Sequence, residues 1–314
     1  MGTLALVGAA TSAAGQTARP APELTDPEAN VVEELVVVAR ERGPAWWRVS
    51  DDDTTVYILA LPDGPLPRDL LWDQAGLNRR LKGANALIGG GRSFRLGIRN
   101  IPLLLSLRRS LRTRGTMEDD LPEDLRARFV SLREGLGKDA KRYAGWGPMI
   151  AGFMLVGDAR SGPRRRDAED QVRRAARRLK VRERRLESRD AAPFLKEFKS
   201  GLTMEIQTSC LAAAMADVEA GPTVAIEAAQ GWARGDVAAA LKAPRGFEKC
   251  LLVISGGADV WRESVDAQAG EIATALKAPG KAVAMAPLRL LIAKGGVIET
   301  LEGLGLEVEG PAER

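Results

Sequence analysis

The sequence of 314 residues contains no histidine. Ser-His and Cys-His nucleophiles, imidazole acid/base catalysis and His-ligated metal centres are therefore outside its chemistry. Two cysteines, Cys210 and Cys250, are too few for a zinc site and lack Cys-x-x-Cys spacing. Ser255, in Ser255-Gly256-Gly257, would need a lysine or carboxylate as its base, and the two glycines mark it as a turn residue. Gly89-Gly90-Gly91-Arg92-Ser93 follows a short apolar run but lacks the Gly-Lys-[Ser/Thr] ending of a phosphate loop. Gly135 and Gly137 read as a helix end, and Arg234-Gly235-Asp236 as a helix boundary. No nucleotide site is expected. What remains for chemistry is carboxylate paired with arginine or lysine.

The elements that would position such groups follow from periodicity. Residues 46–50 and 54–60 are β-rich runs joined by Asp51-Asp52-Asp53, which predicts a hairpin. Residues 73–82 predict a helix, and Asn85 to Ile88 a short strand. The region 101–154 is mostly helical, with Leu121-Pro122-Glu123-Asp124 opening one helix. Residues 167–180 form another, acidic in the first turn and basic in the last, as the helix dipole favours. A strand is expected over 181–187. Residues 191–276 are helical with breaks at Gly221-Pro222, Gly235 and Pro244. The end reads as strand (282–287), helix (296–304) and strand (306–309). The expected fold is α+β: a mixed β-sheet from the N-terminal hairpin and the C-terminal strands, covered by a largely helical middle region. One domain over 41–310 is expected, with a helical insertion at about 100–280.

Composition is ordinary for a globular chain, with 45% hydrophobic and 28% charged residues and a net charge of +4. Residues 1–14 resemble the apolar and cleavage regions of a secretory signal, with Ser12 and Ala14 fitting small-x-small, although no basic residue precedes Arg19. Residues 15–40 read as a flexible linker. A periplasmic or otherwise exported protein is expected, which permits a disulfide. Cys210 and Cys250 each begin an apolar helical run, so a Cys210–Cys250 bond is predicted. Between Arg160 and Arg189 stand thirteen basic and five acidic residues, a local charge of +8. This segment, 160–189, could meet an anionic surface. It carries no aromatic residue for base stacking, and no nucleic-acid partner is expected. The six tryptophans are spread along the chain and read mainly as core residues.

Three stretches together resemble the TraB/GumN family, whose wider group includes the Tiki-like proteins. They are the hairpin from Trp46-Trp47-Arg48-Val49 to Tyr57-Ile58-Leu59, the segment from Leu71-Trp72-Asp73 to Leu87-Ile88, and the end from Trp261 through Met285 and Gly296 to Gly305-Leu306-Glu307-Val308. The resemblance implies a metal-dependent hydrolytic site built from two Gly-x-x-His motifs, an acidic residue and an Arg-Asn pair. Here the first histidine position falls on Asp63, the acidic position on Gly90, and the Arg-Asn pair on Gly257-Ala258, ahead of Trp261. The second histidine position falls on Leu290, beside Arg289. One monodentate carboxylate cannot hold a catalytic metal, so no cofactor is expected. The resemblance with these losses implies a pseudoenzyme that binds a peptide, protein or cell-envelope component in a pocket lined by Asp63, Gly90, Trp261 and Arg289. The competing expectation is a hydrolase that uses Asp63 and Arg289 without histidine or metal.

Overall fold

The computed structural model describes residues 26–38, 43–90, 94–160 and 165–311. The signal-like stretch 1–14 and residues 91–93 of the glycine run lie outside the described residues.

Alternating burial builds the hairpin. In β1 (Trp46–Ser50), Trp47 and Val49 point inward while Arg48 is exposed. Strand β2 (Thr54–Leu61) begins with the same alternation and ends buried on both faces from Ile58 to Leu61, the pattern of a strand inside a sheet. Asp51 makes the connection: its carboxylate accepts from the Thr54 N–H at 2.8 Å and the Asp53 N–H at 3.3 Å, an Asx turn. After the short β3 (Leu66–Pro67) comes α1 (Gln74–Leu81), whose N-cap Asp73 accepts from Gly76 N–H at 2.8 Å. Then follow β4 (Ala86–Ile88), fully buried, and β5 (Phe94–Arg95).

The middle region is helical: α2 (Ile101–Ser110), α3 (Glu123–Gly135) and α4 (Pro148–Arg160). Beyond β6 (Arg165–Arg166), Asp167 caps α5 (Ala168–Arg178), and β7 (Glu183–Arg184) and β8 (Arg189–Asp190) follow. The helices α6 (Ala192–Gly201), α7 (Met204–Glu219), α8 (Gly221–Ala233), α9 (Val237–Ala240), α10 (Gly246–Val253) and α11 (Gly257–Ala275) complete the layer. Gly221, Gly235 and Gly256 stand at helix junctions with positive φ, where a Cβ would be strained. The chain closes with β9 (Gly280–Pro287), α12 (Leu288–Ile292), α13 (Val297–Gly303) and β10 (Val308–Glu309).

The main sheet has the order β10-β1-β2-β9-β4-β7. β1 runs antiparallel to β10 and β2, while β2, β9, β4 and β7 run parallel to one another. The fold is α+β, with a mixed sheet whose hairpin pairs directly with both C-terminal strands. The sequence carried no signal for the parallel register that sets Tyr57 opposite Val283. Three hydrophobic clusters result. The largest spans the sheet and its covering helices; two smaller ones lie among the helices of the middle region. The Trp232 indole N–H donates to the Ala60 carbonyl at 2.8 Å and ties α8 to β2.

The expected linker over 15–40 needs correction where it is described. Val31 and Val38 form bridges with Ala293 and Asp236, Val37 is buried, and Asp26 is ion-paired to Arg245. Residues 26–38 therefore form a strap held by backbone pairing and by charge. The run Val31-Val32-Glu33-Glu34-Leu35-Val36-Val37-Val38 is strongly apolar, but the Pro/Ala-rich residues before it make the whole stretch read as linker.

The predicted disulfide is present. Cys210 on α7 and Cys250 on α10 are bonded, with Cα atoms 5.4 Å apart.

Candidate functional site

In a parallel sheet, loops leaving the C-terminal strand ends form the natural crevice. β2, β9 and β4 all end on one edge, and they deliver Asp63, Arg289 and Gly90 there. Asp63 and Arg289 meet: Arg289 Nε donates to Asp63 Oδ2 at 2.9 Å, and Arg289 Nη2 donates to the Leu241 carbonyl. Arg289 comes from the first turn of α12 immediately after β9, so the parallel pairing of β2 and β9 brings two residues 226 positions apart into contact.

A second arginine extends the pair into a charge cluster. Arg245 Nη1 lies 2.9 Å from Asp26, and its Nη2 donates to Glu28 at 2.7 Å. Burial raises the pKa of Asp63, against the opposing pull of Arg289 and the neighbouring Arg245. Burial likewise raises Glu28, which is opposed by Arg245 and reinforced by the charges of Asp63 and Asp26. Three carboxylates thus converge on two guanidiniums. Asp26, Glu28 and Arg245 were not foreseen, because no local motif links positions 26, 28 and 245.

Two cavities adjoin the loop that carries Asp63, and both touch Gly64 and Pro65. The first, about 330 Å³, sits directly beyond β2 and β9 and is lined by Leu61, Pro62, Pro287, Asp167 and Glu169. Burial raises the pKa of Glu169, against Arg173 and a hydrogen bond from the Gly90 N–H. The second, about 240 Å³, is lined by Asp63 and Arg160, by Asp217 and by apolar groups including Val156, Val218 and Ala225. Asp217 accepts from the Gly246 and Phe247 N–H groups at 2.7 and 2.9 Å, which caps α10; its pKa is raised by burial against those bonds. The acidic first turn of α5 was visible in the sequence as a helix start, and that same signal places Asp167 and Glu169 at the first cavity.

Of the four residues expected to line one pocket, only Asp63 lines either cavity. Gly90 packs between Leu61 and Met285: a Cβ there would lie 2.9 Å from Leu61 Cδ1 and 3.2 Å from Met285 Cβ. Trp261, on α11, belongs to the main hydrophobic cluster, and its buried indole N–H has no hydrogen-bond partner among the described residues. Ser255 and Gly256 form the turn before α11, as read from the sequence.

The residues present do not fit a metal site of the kind the resemblance implies. Asp63 is engaged by a guanidinium, Gly90 leaves no room for a side chain, and Leu290 and Arg289 offer no ligand atom. Among the described residues no three His, Cys, Asp or Glu side chains are placed to hold a metal ion. What the arrangement can do is hold charge and present a partly apolar cleft.

In the basic segment 160–189, Arg160, Arg173, Arg184 and Arg189 pair with Glu248, Glu169 and Glu183, Glu271, and Glu263 respectively. The exposed cations of α5, Arg174, Arg177 and Arg178, remain on its outer face.

No curated protein and no solved structure matches the chain. The model of the TraB/PrgY/gumN family matches residues 45–310, which contain the whole main sheet from β1 to β10. The match covers most of the chain: this protein belongs to the TraB/PrgY/gumN family.

Proposed function

We propose that this chain is a non-catalytic, exported member of its family that acts by binding a peptide, protein or other cell-envelope component in the cleft beside Asp63. The observation that carries the proposal is the Asp63–Arg289 pair. The residue standing at the resemblance's first histidine position is clasped by a cation at 2.9 Å, where a metal ion or a substrate proton would have to approach. The cavity lined by Val156, Val218 and Ala225 keeps an apolar wall with Arg160 and Asp217 at hand, which suits recognition of a side chain with a polar end. The apolar stretch at 1–14 and the Cys210–Cys250 bond both accord with an exported, oxidised protein.

One observation favours the hydrolase alternative. Asp63 and Glu28 are two carboxylates with raised pKa in mutual electrostatic contact. Each, however, is already held by an arginine.

The test combines elemental analysis with turnover measurements on peptide and ester substrates. The expected outcome is no stoichiometric divalent metal and no hydrolysis above background. One tightly held metal per chain, or turnover abolished in Asp63→Ala, overturns the non-catalytic reading. A binding partner captured from an envelope extract should be lost when Ala225→Trp fills the cleft; a partner retained by that variant places binding elsewhere.

A further inference from the structure

From Gln74 to Met117 the chain contains no acidic residue, and between residues 94 and 114 it carries six arginines. The same short stretch holds six large apolar side chains that the fold leaves in solvent: Phe94, Leu96, Ile98, Ile101, Leu104 and Leu105. Ile98 is 84% exposed, and the other five lie between 37% and 52%. Scattered exposed apolar residues are ordinary, whereas six within twelve positions are not.

Helical geometry sorts α2 into two faces. Leu107 is buried in a cluster with Met149 and Phe198, while Leu103, Ser106 and Ser110 on the same side are partly covered. At 100° per residue, Ile101, Leu104, Leu105, Arg108 and Arg109 fall on the opposite, exposed side. Along that face the apolar residues come first and the arginines follow, with Arg112 one turn further on. Arg112 stacks over the Trp146 ring, 4.1 Å from its centroid, and stays exposed. Arg95, Arg99, Arg108, Arg109, Arg112 and Arg114 are all exposed, and none pairs with a carboxylate of the described residues.

We infer that this face, formed by residues 94–105 and the arginines up to 114, docks the protein onto an anionic phospholipid bilayer. The occupant follows from charge and polarity together. A surface of arginines that are not ion-paired to any described carboxylate, although Asp190 stands opposite Arg95, seeks a dense field of anions, and Ile98, Ile101 and Leu105 seek an apolar phase just behind it. A bilayer interface offers both at the right depth, and arginine stems can lie along the apolar layer with their heads among the phosphates. A nucleic-acid backbone would satisfy the arginines but leave six apolar side chains in water. The 160–189 segment, whose composition would allow an anionic contact, has carboxylates interleaved and only Leu179 exposed as a large apolar group among its described side chains. The inference is independent of the cleft beside Asp63.

The test is co-sedimentation of the full chain with vesicles of phosphatidylcholine alone and of phosphatidylcholine mixed with phosphatidylglycerol. Binding to the mixed vesicles is expected, weakening as salt rises, with little binding to the neutral ones. Neutralising two arginines, in the R108Q/R109Q variant, should lower the partition coefficient roughly 30-fold. The I98S/L105S variant should lower it roughly tenfold or more. Both variants change exposed side chains, so unchanged circular dichroism and melting temperature are expected. Equal binding to both vesicle types overturns the inference, as does wild-type binding by either variant. A dimer that I98S/L105S dissociates, in a chain that binds no vesicles, also overturns it by making a second copy the occupant.

Discussion

Asp63 carries a negative charge into a place that disfavours it. Burial raises its pKa even with Arg289 beside it, so the folded state holds a proton to higher pH than the unfolded chain does. The sign follows: for a carboxylate with a raised folded pKa, stability declines as pH climbs from its ordinary value through the folded one. Glu28, Asp217 and Glu169 share that direction, whereas Asp158 is opposite. Hydrogen bonds from Arg142 and Tyr143 and the Arg142 charge lower its pKa against burial, so its contribution is lost as acid brings pH down through the folded pKa. Arg289→Met removes the principal cation facing Asp63. The expected cost at neutral pH is about 2 kcal/mol, below the range for fully buried pairs, because 23% of the Asp63 side chain remains exposed. The deficit should shrink as pH falls toward 4, since a protonated Asp63 no longer needs a partner. Thermal unfolding of both proteins across that range measures it; a deficit of constant size would show that Asp63 is not the group left unpaired. Asp63 and Arg289 were legible beforehand as neighbours through the family resemblance, whereas Asp26, Glu28 and Arg245 were not, because no local motif links them and they meet the pair only when the sheet closes.

Elements explain what the sequence did reveal. The hairpin was readable because two β-rich runs flank Asp51-Asp52-Asp53, and α5 because Asp167 and its acidic first turn start it. β4 was readable as an apolar run of three, but nothing in it announces that β9 lies on one side and β7 on the other. That placement decides the fate of Gly90, one residue past Gly89 at the end of β4. With β2 and β9 alongside, a Cβ at Gly90 meets Leu61 at 2.9 Å and the Met285 carbonyl at 3.2 Å. Reinstating an acidic side chain here is therefore a packing problem before it is a question of chemistry. Gly90→Glu should destabilise the protein by about 2 kcal/mol through overpacking. Gly89→Ala, whose nearest contact would be an ordinary 3.7 Å from the Arg184 carbonyl, should cost less than about 1 kcal/mol. Urea denaturation of the two variants makes the comparison, and equal losses would mean that the β2–β9–β4 edge yields more readily than its spacing implies.

At the scale of the whole molecule, the core divides between a sheet layer and a helical layer, and the covalent link lies in the helical one. Cys210 and Cys250 sit in a cluster with Leu107, Met149, Phe198 and Phe247, away from the buried faces of β2 and β9. The bond closes a loop over a separation of 40 residues, for which the chain-entropy account gives about 4 kcal/mol. The sheet layer has its own support in the long parallel pairing of β2 with β9 and in the Trp232 bond to Ala60. Reduction should therefore loosen the two layers unequally. Hydrogen exchange in the reduced protein is expected to accelerate in α7 and α10, and in α2, which rests on the same cluster through Leu107. Amides of β2 and β9 should keep most of their protection. The Cys210→Ala/Cys250→Ala variant should reproduce the pattern, which separates loss of the link from any effect of the reductant. Equal acceleration in sheet and helices would mean that the two layers unfold as one unit. The predicted asymmetry would instead leave the cavity beyond β2 and β9 framed by strands that hold, while the cavity lined by Val156, Asp217 and Val218 and the arginine-bearing face of α2 loosen with the helices.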